Sequence, residues 1–399
     1  MSATRSGAVG EVGEVALVGA VFMAPLWQQR CVSARRVDNG RVNRGKGNVS
    51  GVNLPALRGY NEALLLDLLR SAGAPGLGRA ELADRTGLTP QAVSKITARL
   101  AAEGLVAEAG RGASTGGKPR TLLRLVPQAR HGVGVHLDRD RIRAVRVDLA
   151  GGVVDEWSGP LDFGAGPDLV VEAVLAAVVR VRARGEAAPP VGVGVAAPGP
   201  LDWRSGVLGP VTGFPGWAGY PLREVLEARL GLPVVLDKDT NAAVAAAGGP
   251  GGTGSCVYLH VGTGLGAGLR LDGVVYRGAR SAAGEFGHQV LRLDGPPCRC
   301  GGRGCLEVLC LDAVARGDLA GAARLLGEGA ANLVALLDGD RVLLGGRVVA
   351  AEREVFVEGV RAVLEARALT GEPPPVGLAV AGVAEGAAAL ALGPLFGHG

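Results

Sequence analysis

Residues 284–307 read GEFGHQVLRLDGPPCRCGGRGCLE. One histidine, His288, is followed ten residues later by Cys298, then by Cys300 and Cys305, with a carboxylate near each end at Glu285 and Glu307. An imidazole and three thiolates make a complete tetrahedral set for Zn²⁺, and four soft ligands with no open position argue for a structural metal. Gly301, Gly302 and Gly304 let the backbone wrap tightly around such an ion. Free buried cysteines or a redox pair are the alternatives. Cys-x-Cys, a third Cys four residues on and an upstream His favour metal over both, and clustering in a chain without export signals favours it over disulfides. Cys31, Cys256 and Cys310 lack such partners and read as packing residues.

On either side of this stretch the chain alternates between strand-like and helical segments. The strand-like runs are GVGVHLD, IRAVRVDL, VGVGVAAPG, VVLDKD, SCVYLHVGTG and RVLLGG, the signature of an α/β body starting at Pro127. No tandem repeat of 20–50 residues is present.

Upstream, the pattern from Pro55 is helical. Leu57, Leu64, Leu65, Leu68 and Leu69 predict a helix ending near Gly73, and two more helices follow at about 79–86 and 90–103. RAELADRTGLTPQAVSKITARL has helix-turn-helix spacing: Ala83 is small at the crossing, Gly87 suits a positive φ, and Val93 plugs the core. Thr89 caps the third helix and Pro90 fits its first turn. Ala92, Val93, Ile96 and Leu100 then face inward, leaving Gln91, Ser94, Lys95 and Arg99 as donors for base edges or phosphates. Arg111, Lys118 and Arg120 flank a hairpin-like wing suited to backbone contact. A small three-helix interaction module is the alternative.

Charge agrees with a nucleic-acid partner. Residues 1–126 carry 17 basic and 9 acidic side chains, a balance of +8, while 127–399 carry 25 and 29, a balance of −4. The 399 residues allow two or three domains without disulfide staples. Gly 67 and Pro 23 fall just short of a low-complexity composition; the Gly, Ala, Val and Arg excess reads as codon bias and devalues glycine as a loop signal. The longest uncharged apolar run, Val15–Trp27, is 13 residues, too short for a membrane span and without the flanks of a signal peptide. Membrane proteins, collagens and secreted mini-domains are excluded. Residues 1–55 are expected to be a disordered extension or a mis-set start, with Met23 as an alternative.

The front end, the GEFGH…CRCGGRGCLE signature and HVGTGLGAG together resemble the ROK family of repressors, open reading frames and sugar kinases, from about Leu57 to about Leu392. The resemblance implies a winged helix-turn-helix over 56–127 and, over 128–399, an actin-like (ribonuclease H-like) two-lobed sugar-kinase fold of the α/β class. It implies a cytoplasmic homodimer or homotetramer. It also assigns roles. Asp239, in DKDTN, matches the kinases' general base, with Asn241 ordering its loop; Glu285, His288 and Glu307 match sugar contacts. His288 would thus serve both metal and sugar. Gly262, Thr263, Gly264 and Gly266 match a phosphate loop, and Gly345 and Gly346 the adenosine-side glycines.

Departures from the pattern decide between activities. The kinases' first strand ends Asp-x-Gly-Gly-Thr; here GVHLDRDRI puts His136, Asp138, Arg139 and Asp140 at those places. Each added carboxylate costs about 4 kcal/mol against a phosphate charge at about 4 Å and an effective dielectric of about 20. ATP and Mg²⁺ binding are therefore expected to be lost. Lys238 and Gly213 stand where the kinases carry Asn, leaving the sugar open, and the segment after Glu307 reads as shortened. The expected function is a DNA-binding repressor of carbohydrate metabolism that senses a sugar or sugar phosphate and binds a double-stranded operator. The alternative is an ATP-dependent hexose kinase using Asp239 as general base.

Overall fold

α1 (Leu54–Ala72) buries Leu65, Leu66 and Leu69 along one face. It opens the part of the chain described by the computed structural model, which covers residues 54–111, 120–182, 189–247, 254–368 and 371–398. The expected N-terminal extension, Cys31 and Lys118 lie outside the described residues. After β1 (Leu77–Gly78) come α2 (Arg79–Thr86) and α3 (Pro90–Ala102). The turn between these helices forms as its residues dictate. Gly87 takes φ 69°, the Thr89 hydroxyl accepts from the Ala92 amide at 3.2 Å, and Pro90 needs no amide donor. Thr89→Ala is expected to cost about 1 kcal/mol in chemical denaturation, with the fold unchanged. β2 (Val106–Arg111) and β3 (Thr121–Leu125) form an antiparallel hairpin, and β1 pairs with β3.

The first lobe follows: β4 (His131–Leu137), β5 (Arg141–Asp148), β6 (Val153–Pro160), α4 (Pro167–Val181), β7 (Val193–Ala197), the β8–β9 hairpin (Leu201–Asp202, Val207–Leu208), α5 (Leu222–Leu230) and β10 (Val234–Lys238). Its sheet runs β10-β7-β4-β5-β6, with β10, β7 and β4 parallel and the β4–β5 and β5–β6 pairs antiparallel. β7 is buried at every position, as a central parallel strand requires.

α6 (Asp239–Ala247) leads to the second lobe, which contains β11 (Cys256–Val261), β12 (Leu265–Leu271), β13 (Val274–Val275), α7 (Leu306–Ala315), α8 (Leu319–Leu337), β14 (Arg341–Gly345), α9 (Arg347–Ala351), α10 (Arg353–Arg367) and β15 (Val376–Leu378). Its sheet order is β13-β12-β11-β14-β15. Counted from each lobe's own first strand, both sheets read 3-2-1-4-5, with the same strand senses. One plan is used twice. Only α7 and α8 stand between Glu307 and β14.

The last helix, α11 (Val383–Leu392), packs beneath the first sheet and against α6. Two strand glycines make its seat. A Cβ at Gly134 would lie 1.9 Å from the Ala384 carbonyl oxygen, and one at Gly194 would lie 1.8 Å from that of Ala387. Beyond α11, Leu392 and Phe396 share one hydrophobic cluster with Leu65 and Leu69 of α1 and with Val145 and Val147 of β5. Arg70 stacks over the Phe396 ring at 4.6 Å. The helical front end and the first lobe are therefore joined by a common core.

Candidate functional site

The strand ends of both lobes meet at a cleft. The end of β10 and the start of α6 deliver Lys238 and Asp239 to it, the loop after β11 brings Thr263 and Gly264, and β12 brings Gly266. The segment before α7 supplies Glu285 and His288, and the first turn of α7 supplies Glu307. The fold thus gathers Asp239, Glu285, His288 and Glu307, the residues matched to sugar contact, on one lining. Gly262, Gly345 and Gly346 lie outside it among the described residues.

Each acid has its own setting. Asp239 opens α6, and its Oδ1 accepts the Thr240 amide at 2.6 Å. Glu307 Oε2 accepts the Leu265 amide at 2.9 Å, which fixes the start of β12 to α7. Glu285 Oε1 accepts from Lys238 Nζ at 2.9 Å. Asn241 Nδ2 donates to Asp237 Oδ1 at 2.8 Å, which ties the first turn of α6 back to the end of β10, two residues before Asp239.

Asp237 went unnoticed in the sequence. It is 1% exposed, and besides Asn241 it accepts the Lys238 amide at 2.8 Å and Arg277 Nε at 2.7 Å. Arg277 comes from the second lobe, so this buried ion pair joins the lobes just below the cleft. No local signal reveals a partner forty residues away.

The altered loop after β4 contacts the second lobe directly. Asp138 Oδ1 accepts from Thr263 Oγ1 at 2.6 Å, and Asp140 pairs with Arg347 at 2.7 Å. Burial works against the Asp138 carboxylate, but the Thr263 hydroxyl and the Arg139 amide hold its pKa below the usual value. Asp140 does not stand as a bare negative charge in the cleft; it is about half exposed and neutralised by Arg347. The obstacle to a phosphate in this loop is the Asp138 and Arg139 side chains, which line the cleft.

Behind the loop, burial pushes the His136 pKa down to about 4, against the pull of Asp239. His136 meets His260 edge to face at 6.3 Å, and His260 Nδ1 lies 3.0 Å from Tyr258 Oη. Burial also raises the Tyr258 phenol, which stays protonated. A Cβ at Gly345 would lie 2.4 Å from Tyr258 Oη. The smallness of Gly345 thus has a local cause: it makes room for this hydroxyl. His136 also predicts a pH effect. The unfolded chain takes up a proton below about pH 6.5 that folded His136 refuses until about pH 4. Stability should therefore fall through that window as pH drops, and His136→Gln should flatten the slope in denaturant titrations across it.

Beside the cleft, one ligand atom from each of His288, Cys298, Cys300 and Cys305 lies within 4.8 Å of the others. Cys300 and Cys305 sulfurs are 3.7 Å apart, and Cys298 Sγ is 3.8 Å from His288 Nδ1. Thiolates on tetrahedral zinc at about 2.3 Å are separated by about 3.8 Å, so the set fits that ion. Burial and the neighbouring thiols push the Cys305 pKa up to about 12; three thiolates share this volume only around a cation. Gly301 and Gly304 take positive φ within the loop. Cys305 is also the N-cap of α7, so the cluster adjoins Glu307.

On α3, Gln91, Ser94, Lys95 and Arg99 are exposed while Val93, Ile96 and Leu100 are buried. Arg99 is already paired with Glu62 of α1. Arg111 and Arg120 are exposed on either side of residues 112–119. No helix among the described residues is long and apolar enough to cross a membrane.

The ROK family's sequence profile matches residues 134–315. A putative xylose repressor of Caldicellulosiruptor sp. (strain Rt8B.4) is 31% identical over 239 residues, 58% of this chain and 59% of that protein. The chain thus spans about three-fifths of the length of the curated repressors it matches. Among solved structures, a ROK family transcriptional regulator, a homologue of the E. coli MLC protein, superposes with a TM-score of 0.68 over 85% of this chain and 97% of its own. At 20% identity that likeness is one of fold. A ROK hexokinase from Thermus thermophilus is 33% identical with a TM-score of 0.52, covering 65% of this chain and 96% of the hexokinase. With nearly the whole of such a relative aligned, the duplicated sheet and the His-Cys cluster beside the cleft make this chain a member of the ROK family.

Proposed function

We propose that the protein is a sugar-responsive transcriptional repressor in the cytoplasm. In this reading residues 56–127 form the DNA-binding domain and 128–399 the effector domain. The single observation that carries it is the Asp138–Thr263 hydrogen bond: in this reading it would close the phosphate loop to nucleotide, while Asp239, Glu285, His288 and Glu307 still line the cleft. Xylose repressors among the relatives support the same assignment. Asp239, Glu285, His288 and Glu307 would contact the sugar. Zinc held by His288, Cys298, Cys300 and Cys305 would supply structural cross-linking and polarise His288. Gln91, Ser94, Lys95 and Arg99 would enter the major groove of an operator, with Arg111, Lys118 and Arg120 on the backbone.

Control requires that a ligand bind two lobe arrangements unequally, since equal affinity shifts nothing. The polar bridges across the cleft are the contacts such a ligand would rebalance. A route to the DNA-binding face runs from Asp239 along α6 to α11, and on through Leu392 and Phe396 to α1. A homodimer would read an inverted repeat.

Sequencing of DNA selected by the purified protein, with and without D-xylose, D-glucose and related sugars, tests this reading. An inverted-repeat motif weakened by one sugar is expected. Gln91→Ala with Lys95→Ala should lose specific binding by about 100-fold, and affinity should fall steeply with salt. Selection without a motif would overturn the reading. The hexokinase relative and the presence of Asp239 in the cleft favour a second reading, ATP-dependent hexose phosphorylation. Sugar-dependent ADP formation, abolished by Asp239→Asn, would establish it.

A further inference from the structure

Lys238 is one of four lysines in the chain and, among the described residues, the only one in the cleft lining. Its side chain is 6% exposed. The methylenes run close to Gly199, where a Cβ would come within 2.9 Å of Lys238 Cδ. At the tip, Nζ donates to the Ala283 carbonyl and to Glu285 Oε1, both at 2.9 Å. An ammonium has three donors, and two are used by the described residues. Beside it, Thr240 also lines the cleft, and its Oγ1 is buried and without a hydrogen-bond partner among the described residues. Two buried polar groups flanking Asp239 therefore have unused hydrogen-bonding capacity.

The rest of the lining sets the charge of what can satisfy them. Asp138, Asp239, Glu285 and Glu307 outnumber Arg139 and Lys238, so a phosphorylated or carboxylated ligand meets repulsion. A hydroxyl group fits both demands: its oxygen accepts from Lys238 while its proton goes to a neighbouring carboxylate. An ammonium substituent in the same place would face Lys238 with like charge and no acceptor.

We propose that Lys238 is a specificity-determining residue of the cleft, reading a hydroxyl oxygen of an uncharged sugar and rejecting an amino group there. This rests on the sugar-sensing reading above. Binding of such a sugar would also share the Lys238 bond that now holds Glu285, on the segment leading to His288.

The scarcity of lysine supplies the test. Zinc-loaded full-length protein labelled with ¹⁵N-lysine is titrated with D-xylose, D-glucose, D-galactose and D-mannose, and with D-glucosamine, D-galactosamine and D-mannosamine. The Lys238 side-chain signal is assigned by its loss in Lys238→Met. One neutral sugar is expected to bind and to shift that signal. Calorimetry should find the same sugar bound about tenfold or more weakly by Lys238→Met, and at least one amino counterpart bound far more weakly by the wild-type protein. A neutral sugar that binds without moving the Lys238 signal, or that Lys238→Met binds as tightly, overturns the assignment but leaves sugar sensing intact. Equal binding of every amino sugar overturns it as well. If no sugar gives heat or shift with the wild-type protein, the sensing reading itself fails and the assignment falls with it.

Discussion

Changing Cys305 to serine is expected to strip the metal from the loop and destabilise the second lobe by on the order of 5 kcal/mol. Structural zinc holds small folds with about 10–16 kcal/mol of apparent binding free energy, and where the site exists only in the folded chain that energy is folding energy. Cys305 carries two duties here: its sulfur belongs to the four-atom cluster, and its backbone caps the helix that presents Glu307. Elemental analysis of the purified protein should find about one zinc per chain, and near none in the variant. Thermal unfolding of the wild-type protein with a strong chelator should approach that of the variant. A metal-free wild-type protein whose melting ignores chelator would refute the structural role.

The second large effect is expected at Asp237. Its replacement by alanine leaves Arg277, partly buried beside Trp203, without its carboxylate, and leaves Asn241 Nδ2 and the Lys238 amide without their acceptor. Breaking one side of a buried ion pair costs about 3–5 kcal/mol. Because the pair joins the two lobes, Asp237→Ala should also loosen the cleft, read as faster amide exchange at β10 and in the 277–285 segment. The double variant Asp237→Ala with Arg277→Met should recover part of the loss, since no uncompensated charge remains. A single variant as stable as the wild-type protein would show that the pair is dispensable.

What could be read from sequence was local. Gly87, Thr89 and Pro90 act within one turn, so α2 and α3 were legible almost to the residue. The cluster of His288 and three cysteines spans eighteen residues, and its spacing alone suggested a common centre. The unread part depends on distant partners. β6 is an edge strand with no fully buried position, and it gave no apolar run to notice. Gly345 matched a nucleotide-binding motif, yet the space it leaves is taken by Tyr258, a residue of another strand. Asp140 counted as a repulsive charge until the fold brought Arg347 to it across 207 positions. Charge pattern and spacing carry no information about such pairings; only the closed topology does.

The seat of α11 also governs how the chain can be made. Gly134 and Gly194 leave the ribosome long before Ala384 and Ala387, the residues whose backbone they touch. Until α11 and Phe396 have been made, the underside of the first sheet has no cover, and neither has the apolar face of α1 that closes on Phe396. Contacts so far apart in the chain form slowly, and exposed apolar surface invites aggregation while they wait. A chain cut before α11 would leave the first sheet and the helical front end without their shared keystone.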